Sequence, residues 1–259
     1  MKVHQLNTES PLKNFNYFIE YKDDEVIAVD PLISDQVEAF VEKLGKRISV
    51  IIITHEHIDH INAKDELKRR TGAEVWAHES CKDVLKNVDR FLKHGEKIPL
   101  VGDGELDILH TPGHTKTHIC LLISKNGIQD SIITMDTVFN AGVGNCKQGG
   151  DPRVLYKTIM KLNNLLDDNV KLYPGHDYIM KNLKFTMKIE PGNFYAKDLF
   201  EQIKQYGGNG FATTISQERG MNTFFRLNSK EIRENLDGVD HHSTDEEVFL
   251  KLREVRDSF

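Results

Sequence analysis

The chain has little of what a secreted, membrane-bound or nucleic-acid-binding protein needs. Its three cysteines, Cys81, Cys120 and Cys146, are scattered and odd in number. They make neither a disulfide framework nor a CxxC metal knuckle, so a reducing cytoplasm is the expected location. The longest apolar run, around Val50 to Ile53, is far too short to span a bilayer. The opening MKVHQLNTES lacks the apolar centre of a signal peptide, and no membrane partner is expected. Positive charge is also scarce. The 34 Lys and Arg against 40 Asp and Glu give a formal net charge of −6, which argues against a nucleic-acid partner but leaves room for a local basic pocket. What is present is an ordinary globular composition, 39% hydrophobic and 29% charged over 259 residues. That is one large domain, or a domain with an appendage.

The first part of the chain alternates strand and helix signals. NYFIEY and EVIAVD read as strands around a turn at Asp23–Asp24, and residues 35–46 as a helix with Val37, Phe40, Val41 and Leu44 on one face. Val50 to Ile53 is a β-branched run of the kind buried on both faces. A charged helix through Arg70 and the strands AEVWAH, GELDILH, HICLLIS and SIITMD follow, then a helix over 151–166 and the buried strand VKLYP. After about Tyr178 strand signals vanish, and helices are expected over 181–190, 194–206, 229–235 and 244–259. The reading is a mixed α/β domain over 1–178 and a helical domain over 179–259.

One segment carries unusual chemistry. His55-Glu56-His57-Ile58-Asp59-His60 follows directly on the buried strand, the end at which α/β folds gather ligands. Alternation points the rings of His55 and His57 the same way, while Asp59 and His60 turn into a helix start. Three or four donors at about 2.0–2.2 Å suit one metal, and six residues cannot easily wrap them all around a single ion. Further donors lie elsewhere: His114 on the Pro-Gly turn of HTPGHT, Asp136 ending SIITMD, and His176 on the Pro-Gly turn of YPGHD. Each follows a strand and opens a loop. Five His and two Asp suit a pair of borderline metals such as zinc, iron or manganese, with zinc first. Any one of these histidines alone would be an ordinary structural or surface residue; the constellation is the signal. His4, His94, His241 and His242 read as solvated, and His78 and His118 as structural. His110 reads as a turn residue or a neighbour of the donors, and Glu56 as a support on the opposite face.

These motifs (THEHIDH, HTPGHT, MDTVF and YPGHD) resemble the metallo-β-lactamase superfamily and, within it, the glyoxalase II (hydroxyacylglutathione hydrolase) family. The likeness runs on through GHDYIMKNLKF, KIEPGN, NTFFR and the ending LREVRDSF. It implies an αββα sandwich followed by an α-helical domain. His55, His57 and His114 would hold one divalent ion, Asp59, His60 and His176 a second, and Asp136 would bridge them. Asp59 and Asp136 would then serve catalysis, a water acidified by the two ions attacking a thioester carbonyl. The leaving thiol has a pKa of about 8.5 and departs without a strong general acid. The resemblance implies hydrolysis of S-D-lactoylglutathione or a related thioester, with Tyr178, Arg253 and Arg256 meeting glutathione; a monomer is the expected form. The other reading of the two arginines is as solvated charges at a helix C-terminus.

One loop departs from the family pattern. A basic residue followed two places later by an aromatic is usual after the bridging aspartate; here Asn145 and Lys147 stand there. The departure bears on thiol specificity rather than on hydrolysis, and Asn145 and Lys147 are the loop residues expected to meet the substrate. Cys146, between them, reads as a small packing residue. The competing readings are a persulfide dioxygenase-like iron enzyme and a lactonase or other thioesterase of the same fold.

Overall fold

The computed structural model describes residues 2–207 and 211–259. The chain forms two compact units, Met1–Thr111 with Thr115–Ile133, and Pro112–His114 with Thr134–Phe259.

Two sheets build the first unit. β1 (Val3–Asn7), β2 (Phe15–Lys22) and β3 (Glu25–Val29) run antiparallel. α1 (Ser34–Lys43) crosses to β4 (Arg47–Ile53), which lies parallel to β3. α2 (Ile58–Ile61) and α3 (Lys64–Thr71) lead to β5 (Glu74–His78), and β6 (Arg90–Leu92) completes the parallel set. Of the second sheet, which has six strands, this unit holds an antiparallel meander of β7 (Lys97–Leu100), β8 (Gly104–His110), β9 (Ile119–Lys125) and β10 (Ile128–Met135). β4 explains the position of the histidine segment. Ile51 and Ile53 enter the core shared with Val37 and Val41 of α1 and Leu67 of α3. Ile52, one residue out of phase, is fully buried as well. Each such side chain contributes about 1.5–3 kcal/mol, and a one-residue slip would exchange the two faces. The strand therefore delivers Thr54 and His55 in a fixed register.

The second unit begins in the last residues of β10. β11 (Val138–Phe139) and β12 (Gly142–Val143) form a small hairpin. α4 (Pro152–Leu165) starts with proline and is capped by Asp151, whose carboxylate accepts from the Arg153 and Val154 amides. After β13 (Lys171–Pro174) come α5 (Ile179–Ile189), α6 (Phe194–Tyr206), β14 (Thr213–Thr214), α7 (Ile215–Met221), α8 (Lys230–Glu234) and α9 (Asp245–Asp257). Ile179, Leu183, Ala196, Leu199, Ile203 and Met221 form one core among these helices. A reciprocal cap between Thr244 and Glu247 opens α9.

Short elements depart from expectation. The tail is not free of strand, since β14 pairs with β13 through Thr213 and Leu172; two residues are too few to show alternation. β6 has three residues, and β7 carries a proline that suits an edge. His4 is half-buried rather than solvated, with Nε2 3.1 Å from Glu20 Oε1. No helix among the described residues is long and apolar enough to cross a membrane.

Candidate active site

In the first unit the end of β4 brings His55, His57, Asp59 and His60 together. His55 Nε2 lies 3.2 Å from His57 Nδ1, and His60 Nε2 lies 3.4 Å from Asp59 Oδ2. Donors on a tetrahedral ion with bonds of about 2.0–2.1 Å are spaced about 3.3–3.4 Å apart, so these atoms already stand at ligand spacing.

The orientation of the rings comes from a buried residue that the motif does not contain. Asp30 follows β3, with φ at 46° in the left-handed region, a strained setting for a side chain larger than glycine. Its Oδ2 accepts from His60 Nδ1 at 2.8 Å and from the Thr54 hydroxyl, while Oδ1 accepts from the Thr54 amide at 2.8 Å. The Thr54 oxygen lies 3.0 Å from His55 Nδ1. One carboxylate thus turns Nε2 of His60, and through Thr54 that of His55, outward from the relay. Such partners fix tautomer and raise ligand basicity. Burial pushes the Asp30 carboxyl above its ordinary range, against the opposing pull of His60 and Thr54. Asn14 Nδ2 donates to Asp59 Oδ2 at 2.9 Å. Glu56 accepts from the hydroxyls of Thr115 and Thr117, which makes it a brace. His118 is buried and stacks on His55 with ring centres 4.8 Å apart, and His110 stacks on His78 at 4.2 Å. Burial and the neighbouring His110 depress His78 to about 4. Asp30 was missed by the sequence reading although it ends EVIAVD just as Asp136 ends SIITMD. That parallel was the available signal.

The second unit gathers His114, Asp136 and His176. Asp136 Oδ2 is 3.4 Å from His114 Nε2 and 3.3 Å from His176 Nε2, again the spacing of co-ligands. Met135, just before Asp136, has φ at 40°. His114 Nδ1 donates to the carbonyl of Asn145 at 2.6 Å. His176 stacks on Tyr178 with ring centres 4.9 Å apart and planes 2° from parallel.

Beside these residues, within the same unit, lies a cavity of about 320 Å³. Its lining includes Tyr178, Asn145, Lys147, Lys181, Arg253 and Arg256. All five residues expected to meet substrate are there. Lys181, on α5, is an addition: an exposed lysine on a helix carries no sequence signal of its own. The cations differ in freedom. Arg256 Nη2 donates to Asn182 Oδ1 at 2.9 Å, and Lys147 Nζ to the carbonyl of Asp257 at 3.2 Å. Arg253 is buried, with Nη1 on the carbonyls of Val143 and Gly144 at 3.0 and 3.1 Å and Nε and Nη2 on Asp257. Burial lowers both arginines from their ordinary value, for Arg256 with help from the charge of Arg253. Asn145 Oδ1 accepts from the Lys147 amide. Cys146 is half-buried, and burial pushes its thiol up to about 12, which makes it unreactive near neutrality.

Residues 11–176 match the metallo-beta-lactamase superfamily, the class to which the fold and the His and Asp clusters belong. Residues 177–259 match the hydroxyacylglutathione hydrolase C-terminus, and the chain belongs to the hydroxyacylglutathione hydrolase family. It is 37% identical to the hydroxyacylglutathione hydrolases of Nitrosococcus oceani and of a Polaromonas species, each match covering 100% of both chains. Among solved structures it is similar to ETHE1 from Myxococcus xanthus, with a TM-score of 0.68, 23% identity and coverage of 98% of this chain and 90% of that one. The fold with its His and Asp clusters fits a site for two metal ions.

Proposed function

We propose that the protein hydrolyses S-D-lactoylglutathione or a closely related hydroxyacylglutathione to glutathione and the 2-hydroxy acid. The observation that carries this reading is the cationic cavity of Tyr178, Lys147, Lys181 and Arg256 beside His176 and Asp136. Glutathione brings two carboxylates and one ammonium, and charge-assisted contacts are about twice as strong as neutral ones.

His55, His57 and His114 would hold one ion, Asp59, His60 and His176 the other, and Asp136 both, zinc being the ion proposed first. When bound, two divalent ions supply Lewis acidity towards water and towards the acyl carbonyl. The chain itself orients and excludes. Asp30 and the Asn145 carbonyl hold His60 and His114 by Nδ1, so that Nε2 presents a lone pair. Asn14 steadies Asp59. Tyr178 packs flat on His176 and lines the cavity, where a peptide can lie against it. Arg256, Lys147 and Lys181 supply positive charge for the glutathione carboxylates, which fixes the thiol end while the acyl end reacts. In this reading residues 1–178 carry the metal donors, and residues 179–259 carry recognition together with Lys147 and Tyr178. A monomer in a reducing compartment is the proposed form, the three free thiols agreeing with the compartment.

The test is elemental analysis of the purified chain together with a panel of glutathione thioesters, lactones and glutathione persulfide. Two ions per chain and preference for a glutathione thioester are expected. Activity only on lactones, or oxygen uptake with persulfide at one iron per chain, would overturn the assignment.

A further inference from the structure

Arg253 lines the cavity, yet its geometry is that of a strut. It is only 6% exposed. One end of its guanidinium is held by Asp257, one turn further along α9, and the other grips the carbonyls of Val143 and Gly144. Those carbonyls open the loop whose next residue, Asn145, accepts from His114 Nδ1. The loop has little freedom to compensate. The Gly144 amide donates to Thr137, and a Cβ at Gly144 would lie 2.0 Å from the Asp136 carbonyl oxygen and 3.0 Å from His114 Nδ1. Thus α9, Arg253, the Val143–Asn145 carbonyls and His114 form one continuous chain of contacts inside the second unit.

We infer that Arg253 is a positioning residue for the metal centre: it fixes the loop carbonyl that orients His114. This rests on the reading of His114 as a metal ligand. A planar guanidinium suits the task because it addresses two carbonyls from Nη1 and a carboxylate along the edge of Nε and Nη2, which a lysine ammonium cannot do in the same fixed geometry. Partners that orient metal-bound histidines are commonly worth ten- to a hundredfold in affinity, and one step further out about tenfold is expected.

The experiment compares full-length wild type, Arg253→Ala, Arg253→Lys and Arg256→Ala, each loaded with zinc and titrated with a competing chelator. KM and kcat for one glutathione thioester are measured alongside. The Arg253 variants should surrender zinc at about tenfold lower chelator concentration, with kcat falling. Arg256→Ala should hold zinc like wild type and lose only in KM. If Arg253→Ala retains zinc as wild type does and only its KM rises, the residue binds substrate and the inference fails. Should Arg253→Ala not fold, Arg253→Lys decides by the same readout. A wild type inactive on glutathione thioesters would overturn the proposed substrate, while zinc retention would still test the strut.

Discussion

The two clusters solve one problem in different ways. In the first unit the histidines are oriented by a side chain: Asp30 grips His60 directly and reaches His55 through Thr54. In the second, His114 is oriented by a main-chain carbonyl, that of Asn145, on a loop fastened by distant groups. A carboxylate can be deleted by one substitution. A carbonyl cannot, and its position is only as good as the loop that carries it. The first arrangement is compact and local; the second spreads its dependence to α9.

The hardest break is Asp136→Ala, since this carboxylate is the common neighbour of His114 and His176. Turnover should fall by about a thousandfold or more, several kcal/mol of lost charge stabilisation, with reduced metal content by elemental analysis. Unchanged metal content would separate Asp136 from the centre.

The β11–β12 turn that leads into the Asn145 loop has a support that titrates. Glu218 is fully buried and accepts from the Ala141 amide, Thr213 and Asn222. Burial pushes its carboxyl up to about 7 against those three hydrogen bonds. A raised carboxyl means that the folded state binds the proton more tightly. Its contribution is complete below the unfolded value near 4.5 and is lost as pH rises through about 7. The span is worth on the order of 3 kcal/mol. Glu218→Gln keeps the shape and should flatten the pH dependence of thermal unfolding between pH 4.5 and 7. An identical profile in the variant would show that Glu218 ionises freely.

Asp30→Asn probes the other cluster. The amide can accept from His60 but cannot serve all three donors, so zinc affinity should drop ten- to a hundredfold in chelator competition. Equal affinity would remove the contrast between the clusters. The smallest effects belong to the side chains of residues 145 and 147. Asn145→Lys should leave zinc retention unchanged, because the contact to His114 is main-chain, and should lower KM several-fold by adding a charged contact. Lys147→Ala should raise KM by up to about tenfold. If neither moves KM, the loop does not meet glutathione.

What was legible in the sequence follows the same division. Donors on strand ends and Pro-Gly turns advertise themselves, because several histidines in six residues have few structural uses. The β-branched run of β4 announced its burial, and the helices of the tail were readable from spacing and caps. Asp30 was hidden by distance, being an ordinary strand-end aspartate until the fold sets it beside His60. The Asn145 carbonyl was invisible in principle, since every residue owns one. Arg253 was readable as a cation, but not as a cation whose donors are turned onto main-chain oxygen.

Pro112–His114 leave the first unit for three residues, and the chain returns to it at Thr115. Their seat is made of later sequence. The Thr158 hydroxyl donates to the Pro112 carbonyl and the Asp151 amide to that of Gly113, while Gly113 lies so close to Leu155 that any Cβ there would come within 2.4 Å of its Cα. No single cut in the chain therefore yields both units whole. A fragment ending after β10 keeps the turn but lacks its seat, and a fragment starting at Thr134 keeps the seat but lacks His114. On the ribosome, where folding runs from the N-terminus, the turn must wait for α4 to emerge, and for α9 before its loop is secured.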